Sequence, residues 1–361
     1  MGNARRSDVT FDCIVAASHL RFDGVRQRPQ HVLTRLGARV PVLFVEEPFF
    51  GAEESESLLA EEGLTVLRSV RRSLEAARLD ERTLSAVRGW VGERRPLLWL
   101  YTPMMLALGE AFADAPLVYD CMDELAAFAY APFEIKTREK GLLERADLVF
   151  AGGHSLYESR RELGEKVKLY ASGVEFEHFA RAATLPPHPL AEALTRPVFG
   201  YFGVIDERID FDIVRALSER AASVLMIGPA VKIDPAVLPR RANVHFTGQV
   251  PYADLPAFLA GFDVALLPFA LNPATANISP TKTPEYLAGA KPVVGTPIAD
   301  VIADWGDLVT IAATPDEFAD ACEAVAERPD LALIAAGVER ARDASWDSIV
   351  AAMWSDLSGL G

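Results

Sequence analysis

Short runs of apolar residues alternate with segments of helical periodicity along the whole chain. Each run is continuously apolar rather than alternating, and each is bounded by turn residues. Continuous apolar strands separated by helices indicate a parallel sheet that is covered on both faces. The predicted strands read FDCIVAA, PVLFVEE, PLLWLY, PLVYD, ADLVFAG, KVKLYAS, PVFGYFG, SVLMIG, NVHFTG, DVALLPF, KPVVGT and LVTIAA.

A proline-rich break at Thr184–Pro197 interrupts this series and has the composition of an interdomain linker. The chain has 361 residues, which is too long for one ordinary core. We therefore predict an α/β protein with two doubly wound, Rossmann-like domains, the first over residues 1–190 and the second over 191–340. The amphipathic stretch within 341–361 is predicted to be a helix that packs back across the domains.

Ligands of doubly wound sheets bind outside the carboxyl ends of the strands. With two such domains, the predicted site is a central cleft that both domains face. The nearest approach to a GxGxxG motif is Gly200-Tyr-Phe-Gly203, which has the wrong spacing, and the sequence contains no GxxxxGK[ST]. These observations argue against a dinucleotide dehydrogenase and against a P-loop enzyme.

The composition is that of a globular and acidic protein, with 50% hydrophobic residues, 24% charged residues and a net charge of −15. A duplex-binding protein needs a basic face, so nucleic acid is not a predicted partner. Basic clusters nevertheless occur locally, and either they are solvated helix faces or they contact anionic lipid or an anionic acceptor. The clusters contain Arg68, Arg71, Arg72, Arg94 and Arg95.

The cysteines and the lengths of the apolar runs indicate in which cellular compartment the protein is expected. Cys13, Cys121 and Cys322 form neither a CxxC nor a zinc pattern, and nothing in their number indicates an oxidising environment. The first residues, MGNARRSDVT, lack the apolar core of a signal peptide, and no run of about 18 apolar residues is present. We predict a cytoplasmic protein, with peripheral contact at the inner membrane face as the alternative.

The stretch SPTKTPEYLAGAKPVVGT carries the first candidate chemistry. Its prolines suit the start of a helix, with Thr283 as the N-cap, Pro284 at the first helical position and Glu285 in the first turn. Lys282 would then lie at a helix N-terminus, which favours a bound anion such as a phosphate. A lysine neutralises phosphate, and a glutamate accepts two hydrogen bonds from a ribose diol. The pair indicates a nucleoside diphosphate, and the alternative is a surface capping pair.

The stretch GYFGVIDERID carries the second candidate. Gly200 and Gly203 end a strand and permit close backbone approach to a ligand. Arg208 follows before a helix and would be the second cation on the diphosphate. The alternative for Arg208 is a solvated ion pair within the acidic run.

Two further candidates lie in the first half of the chain. SHLRFDGVRQRPQHV places Gly24 beside Arg28 and other arginines, so that backbone N–H groups could meet the phosphate or sugar of a ligand. VYDCMDELAAF places Asp120 and Asp123 at the end of an apolar strand, where carboxylates bind sugar hydroxyls or take a proton. The alternative for Asp123 is the N-cap of the next helix.

These segments, in this order, resemble the GT-B glycosyltransferases of the large retaining group that includes family four. ISPTKTPEYLAGAKPVVGTPIADV is similar to their donor-site signature, and Glu285 matches the second glutamate of the E-x7-E motif. Asn277 stands where the first glutamate would fall, and Val204 replaces the usual arginine of the GR[LF] motif. RPQH, FVEEP, YDCMDE and SPTKTPEYLA together resemble a bacterial subset tied to cell-surface polysaccharides, including teichuronic-acid-type enzymes.

The resemblance implies transfer of a sugar, with retention of configuration, from a UDP- or GDP-sugar to an acceptor hydroxyl in cell-surface or exopolysaccharide synthesis. The implied acceptor is a saccharide, a lipid-linked molecule or a small molecule. The implied catalytic residues are Arg208, Lys282 and Asp123. The implied donor-binding residues are Gly24, Gly203, Val250, Asn277, Thr281 and Glu285, and the implied acceptor or sugar contacts are Asp120 and Arg28.

The mechanism expected from these residues stabilises the leaving diphosphate with Lys282, Arg208 and the helix N-terminus. Neither a metal nor a cofactor is expected, because side-chain cations supply the positive charge. Three alternatives remain open. A catalytically degenerate GT-B protein would bind nucleotide without turnover, a sugar-nucleotide epimerase would need a pair of acid/base carboxylates, and a nicotinamide oxidoreductase lacks its glycine fingerprint.

Overall fold

The computed structural model describes residues 11–73, 79–128, 131–220, 222–231 and 233–360. The chain forms two compact units. Unit 1 comprises Met1–Ala171 together with Asp347–Gly361, and unit 2 comprises Ser172–Trp346.

Unit 1 is built on a nine-stranded sheet. Its strands are β1 (Cys13–Ser18), β2 (Val42–Glu46), β3 (Phe49–Phe50), β4 (Ser55–Glu61), β5 (Leu64–Arg71), β6 (Pro96–Leu100), β7 (Leu117–Cys121), β8 (Leu148–Ala151) and β9 (Val167–Leu169). Its helices are α1 (Arg28–Gly37), α2 (Glu81–Val91), α3 (Leu106–Ala111), α4 (Ile135–Arg145) and α5 (His154–Glu158), with 3₁₀ turns at Pro103–Met105, Leu125–Ala127 and Arg161–Lys166.

The strand order of this sheet is β3-β5-β2-β1-β6-β7-β8-β9, and β4 adds to β5 as an antiparallel partner. The other pairings are parallel, so the predicted doubly wound arrangement is confirmed for unit 1. The direction of winding reverses between β1 and β6, which makes that gap the topological switch point of unit 1. The pattern of apolar runs did not predict β3 to β5, because β4 is exposed along most of its length and carries a polar sequence, SESLLAE.

Unit 2 is built on a six-stranded sheet with the order β12-β11-β10-β13-β14-β15. Its strands are β10 (Val198–Phe202), β11 (Ser223–Ile227), β12 (Val244–Phe246), β13 (Val264–Leu267), β14 (Val293–Gly295) and β15 (Thr310–Ile311). Its helices are α6 (Phe176–Ala180), α7 (Pro189–Glu192), α8 (Phe211–Ser218), α9 (Leu255–Ala260), α10 (Lys282–Ala288), α11 (Ala299–Trp305), α12 (Pro315–Glu327) and α13 (Leu331–Asp343), with 3₁₀ turns at Arg181–Ala183, Pro235–Val237 and Tyr252–Asp254.

All pairings in this second sheet are parallel, and the winding reverses between β10 and β13. The central strands of both sheets are completely buried, as their continuous apolar sequences predicted. Each predicted apolar strand is therefore confirmed, and each unit surrounds its own sheet with helices.

The division between the units differs from the predicted boundary at residue 190. The chain passes from unit 1 to unit 2 between Ala171 and Ser172. Val174 already forms a β-bridge with Ser345, and both residues belong to unit 2. The proline-rich break lies wholly inside unit 2, because His188 donates its backbone N–H to Ala257 and stacks its ring on Phe258 at 3.9 Å. The prolines thus shape a surface segment of one domain.

The final helix, α14 (Trp346–Leu357), belongs to unit 1 from Asp347 onward. The Phe11 and Trp354 rings pack edge to face with centroids 5.8 Å apart, and the Tyr170 hydroxyl donates to Asp356 at 2.8 Å. The structure therefore gives the C-terminal segment a place in the core of unit 1.

The arginine clusters of the sequence do not form a helix face. Arg68 and Arg71 lie on β5, where Arg68 donates to Glu46 at 3.2 Å and the buried Arg71 pairs with Asp80 and Glu56. The remaining members also have partners in unit 1. Arg72 donates to the Ala52 carbonyl, Arg94 covers the Trp90 ring at 4.1 Å, and Arg95 pairs with Asp12 at 3.0 Å. Lipid contact through these arginines stays a prediction.

The part of the chain that the structure describes contains no membrane-spanning helix, no cluster of metal-ligating side chains and no disulfide. Within the described ranges, no helix has the length and apolarity needed to cross a membrane. No group of three or more histidine, cysteine and acidic side chains in that same part of the chain is arranged to hold a metal ion. Cys13, Cys121 and Cys322 are buried free thiols.

Candidate active site

The switch point of unit 2 is an opening between β10 and β13. These strands pair only at Phe199–Val264 and Gly200–Ala265, and beyond that point they diverge. The buried Tyr286 of α10 fills the opening, and its hydroxyl accepts the backbone N–H of Phe202 at 3.0 Å. A side chain thus satisfies a backbone group that the sheet leaves unpaired.

The loops that follow β10 and β13 are joined by backbone hydrogen bonds. Asp210 donates to the carbonyl of Pro268 at 2.8 Å, and Ala270 donates to the carbonyl of Arg208 at 2.8 Å. The side-chain amide of Asn272 also donates to the Glu207 carbonyl at 2.9 Å. Residues 207–210 and 268–272 are therefore joined to each other beyond the carboxyl ends of the strands, where ligands of such sheets bind.

Gly203 allows the backbone after β10 to approach the lysine of α10. Its φ of +148° is one that other residues rarely adopt. A Cβ at this position would lie 2.6 Å from the Tyr201 hydroxyl and 2.9 Å from Cε of Lys282, so the lysine stem packs directly across the glycine backbone. Gly200 has a different role, because a Cβ there would meet the Phe262 ring at 2.2 Å. At Gly203 it is the lysine side chain that approaches the backbone closely, and the approach of a ligand to this glycine stays a prediction.

Helix α10 begins two residues earlier than its sequence predicted. Lys282 is its first residue and Thr281 occupies the N-cap position, whereas the predicted N-cap, Thr283, is a buried residue of the first turn. Pro284 is tolerated there because the first-turn N–H groups of a helix have no intrahelical acceptor. The prediction of Thr283 as the cap was wrong, but Lys282 does stand at the start of the helix.

Glu285 is the most perturbed carboxyl group of this site. Its side chain is buried, with 6% exposure, and burial raises its pKa to about 7. Lys282 and a hydrogen bond from Thr281 favour the carboxylate, whereas Glu175 disfavours it. The Lys282 ammonium donates to the Thr281 hydroxyl at 3.1 Å. Thr281, Lys282 and Glu285 thus form a cluster, which we call the α10 cluster, whose charge changes near neutral pH.

Arg208 lies on the loop after β10, but its guanidinium faces an acidic neighbour. Nε and Nη2 donate to both carboxylate oxygens of Asp206, with distances between 2.8 and 3.2 Å. The arrangement matches the ion-pair alternative raised by the sequence. A phosphate at this site would have to share Arg208 with Asp206 or displace that carboxylate.

The other predicted donor-site positions are distributed along unit 2. Asn277 is a partly buried turn residue of the loop that precedes α10. Val250 follows β12 in a segment that leads to the Tyr252–Asp254 turn, and it packs on the core of unit 2. Their nucleotide contacts stay predictions.

The structure corrects the expectation for Asp120 and Arg28 in unit 1. Asp120 is fully buried at the end of β7, and Arg28 is 3% exposed. Arg28 Nε donates to Asp120 at 2.8 Å, Trp99 donates to the other carboxylate oxygen at 3.2 Å, and Arg28 Nη1 donates to the Tyr170 carbonyl at 2.6 Å. Burial raises the pKa of Asp120, and Arg28 lowers it. The two residues form an internal ion pair, which leaves them no surface for a sugar.

Asp123 and Gly24 lie at the same carboxyl edge of unit 1. Asp123 is a partly buried bend residue after β7, and the N-cap of the following 3₁₀ turn is Glu124, so the structure does not show the alternative role of Asp123 as an N-cap. Glu124 is bound by Arg160 at 2.9 Å, which fixes the segment around Asp123. Gly24 is an exposed turn residue whose N–H donates to Arg21. Their proposed roles toward a ligand stay predictions.

Sequence reasoning missed Tyr286 and Asp206. Tyr286 is adjacent to Glu285 in the helix, and its signal was a polar aromatic residue inside an otherwise apolar stretch. Asp206 stands two residues before Arg208, a spacing that only the turn conformation of the loop converts into a bidentate pair.

The sequence of unit 2 and the fold of the chain are similar to those of known glycosyltransferases. Residues 197–328, most of unit 2, match the family model described as Glycosyl transferases group 1. This confirms the resemblance for that segment, which contains the α10 cluster, Gly203 and Arg208. Among curated proteins, TuaH of Bacillus subtilis (strain 168), named as a teichuronic acid biosynthesis glycosyltransferase, is 28% identical over 236 residues. That alignment covers 60% of this chain and 58% of the length of the relative.

Solved structures extend the likeness to both units. Sucrose-phosphate synthase from Thermosynechococcus elongatus superposes with a TM-score of 0.74 at 16% identity, covering 97% of this chain and 99% of its own. HepE from Anabaena, solved with UDP and glucose, superposes with a TM-score of 0.73 at 15% identity, and the match covers 97% of this chain and 100% of the HepE chain. These neighbours confirm the predicted GT-B fold.

Proposed function

We propose that this protein is a glycosyltransferase that moves a sugar from a nucleotide-sugar donor to an acceptor hydroxyl. The observation that carries the proposal is the α10 cluster at the switch point of unit 2. It joins a lysine, which suits a diphosphate, to a buried glutamate, which suits a ribose diol, on a segment that matches the group 1 model. Because Gly203 has no Cβ, the lysine stem can pack against the backbone at this position.

Leaving-group stabilisation is the proposed source of catalysis. Cleavage of the sugar–phosphate bond adds negative charge to the diphosphate, and Lys282 is held by packing across Gly203 and by its bond to Thr281. A preorganised cation of this kind needs little rearrangement during the reaction. Arg208 would contribute a second charge, shared with Asp206. Asp123, in unit 1, stays a proposed catalytic residue.

The finer features of the reaction are also part of the proposal. We propose retention of the anomeric configuration, transfer without a metal ion, and a UDP- or GDP-sugar as donor. The solved complex of HepE with UDP and glucose supports a uridine nucleotide. The likeness to TuaH supports a role in bacterial cell-surface polysaccharide synthesis. The acceptor that we propose is a saccharide or a lipid-linked molecule at the inner membrane face.

Calorimetric titration tests the donor site directly. UDP and GDP would each be titrated into the wild type, into Glu285→Ala, and into Glu327→Ala, which changes an exposed glutamate of α12. We expect one nucleotide to bind the wild type and the control, and to lose most of its affinity for Glu285→Ala. Absence of binding by both nucleotides would contradict the donor assignment.

Turnover separates the enzyme from a degenerate scaffold. Release of the nucleotide from UDP- and GDP-hexoses would be measured with and without EDTA, and the anomeric proton of the product would be assigned by NMR. Retained configuration and insensitivity to EDTA are the expected results. Tight nucleotide binding without any release from the whole donor panel would favour a binding protein of the same fold.

A further inference from the structure

Unit 1 has a switch point of its own, which the proposed donor site does not use. Ser18 pairs with Glu46 on one side of β1, and Ala17 pairs with Leu100 on the other, so β2 and β6 end beside β1. The winding reverses between β1 and β6. Because doubly wound sheets bind ligands at such a reversal, this edge is a second candidate site.

Two polar side chains meet at this edge. Glu47 directly follows β2, and Thr102 follows β6 by two residues. The Thr102 hydroxyl donates to Oε1 of Glu47 at 3.5 Å, and therefore the pair spans the carboxyl end of β1, which lies between the two strands. Thr102 is 1% exposed, and its hydroxyl also accepts the backbone N–H of Met104 at 3.2 Å.

Glu46 and Glu47 are adjacent but have different environments. The fully buried carboxylate of Glu46 accepts the Phe22 N–H at 2.9 Å and the Arg68 guanidinium at 3.2 Å. For Glu47, the only side-chain hydrogen bond within the described residues is the long contact with Thr102. Burial raises the pKa of Glu47, with Arg21 and Thr102 opposing the shift. A partly buried carboxyl group with one long hydrogen bond retains capacity for a ligand.

The surroundings favour a neutral ligand over a phosphate. Arg21 is the cation beside Glu47, but its guanidinium lies 3.7 Å from the centroid of the Phe49 ring and donates to the Glu47 carbonyl. It also lies 3.6 Å from the Glu46 carboxylate. The arginine charge is thus directed toward the protein, and the Glu47 carboxylate would repel an anion.

We infer that Glu47 and Thr102 form a subsite that hydrogen-bonds a hydroxyl group of a neutral saccharide acceptor at the switch point of unit 1. The inference rests on the proposed function, because sugar transfer requires a hydroxyl acceptor in addition to the donor. Glu47 accepts the hydroxyl hydrogen, and Thr102 holds the carboxylate in place. Neither residue is assigned to the donor.

Saturation-transfer NMR tests this subsite with defined probes. The probes are the methyl glycosides of glucose, galactose, mannose and N-acetylglucosamine, with glucose 6-phosphate as the anionic comparison, all in the presence of saturating UDP. The proteins are the wild type, Glu47→Gln, Thr102→Val, and the exposed-site control Glu53→Gln. Thermal unfolding of each variant checks the fold, and UDP titration of the same samples checks the donor site.

We expect at least one methyl glycoside to bind the wild type and the control. Its signal should fall roughly tenfold in Glu47→Gln and severalfold in Thr102→Val, with UDP affinity unchanged. Three results would overturn the inference: no methyl glycoside binds, glucose 6-phosphate binds in preference, or both variants keep the wild-type signal. Failure of the wild type to bind either UDP or GDP would instead contradict the proposed function.

Discussion

The switch points of the two units share a topology and differ in their chemistry. In unit 2, a partly exposed lysine packs across a glycine beside a glutamate that titrates near neutrality. In unit 1, the cation at the start of α1, Arg28, is buried against Asp120, and Glu47 and Thr102 place a carboxyl group and a hydroxyl group at the edge. Parallel winding brings loop residues to the same edge in both units. The loops then decide whether that edge can bind an anion or a hydroxyl.

The largest expected effect is on stability, at the buried pair of unit 1. Asp120→Ala removes the partner of Arg28, which is only 3% exposed, and an uncompensated buried charge costs about 3–5 kcal/mol. Chemical denaturation should show this loss in the free energy of unfolding. Asp114→Ala, at a surface turn between α3 and β7, is the control. A variant of wild-type stability would show that Asp120 is available for a ligand after all.

The next effect is on catalysis, at the α10 cluster of unit 2. Lys282→Ala removes the cation proposed to meet the leaving diphosphate, and the turnover rate should fall about 100-fold or more, equivalent to roughly 3 kcal/mol of barrier. The control is Lys140→Ala, whose side chain is 81% exposed. Initial rates of nucleotide release provide the measurement. If Lys282→Ala turned over at the wild-type rate, the leaving-group argument would fail.

A pH dependence should distinguish Glu285 from an ordinary glutamate. Its pKa of about 7 means that the carboxylate form is depleted below neutrality, so nucleotide-sugar affinity should fall with pH by at most about tenfold per unit below 7. In Glu285→Gln this dependence should disappear. Calorimetry with a non-hydrolysable donor analogue between pH 5.5 and 8 provides the test. A wild-type affinity that does not change with pH would contradict the prediction.

The raised pKa of Glu285 also makes the free energy of unfolding depend on pH, in the direction opposite to that of donor affinity. The pKa of the folded state, about 7, exceeds the ordinary value of 4.5, so the folded protein binds this proton more tightly than the unfolded chain does. The contribution is fully present below about pH 4.5 and is lost as the pH rises through 7. Donor affinity and this contribution to stability should therefore change in opposite directions over that range.

The smallest expected effect concerns the acidic partner of Arg208. Asp206→Asn weakens the bidentate pair and makes the guanidinium more available, so nucleotide affinity should rise a few-fold, while Arg208→Ala should lower it. Asp212→Asn, which breaks an exposed pair with Arg215 on α8, is the matched control. Unchanged affinity in both Arg208→Ala and Asp206→Asn would remove Arg208 from the donor site.

Much of the fold was predictable from the chain because its signals are local. The buried parallel strands carry continuous apolar sequences, and every such run became a strand. The proline-rich segment was misleading for the opposite reason. Its composition indicates a linker, but the contacts of His188 with Ala257 and Phe258, nearly seventy positions later, place it within unit 2.

The site was predictable only in part. Lys282 and Glu285 were found because their spacing, and the turn that separates them from the preceding strand, are written in one short stretch. Asp120 and Arg28 were misassigned because a carboxylate at the end of a strand looks the same in sequence whether it faces solvent or a buried arginine 92 positions away. The Glu47–Thr102 contact likewise joins residues 55 positions apart.

The sequence by itself determined the strands, the parallel α/β class, and the loops on which charged residues would stand. Hydrophobic periodicity and turn chemistry act between near neighbours, and one sequence is enough to display them. Only the tertiary structure decided which charges are neutralised by distant partners, where the helix carrying Lys282 begins, and which glutamate keeps bonding capacity. Those outcomes depend on burial and on through-space distance, which arise when strands far apart in the chain become neighbours in a sheet.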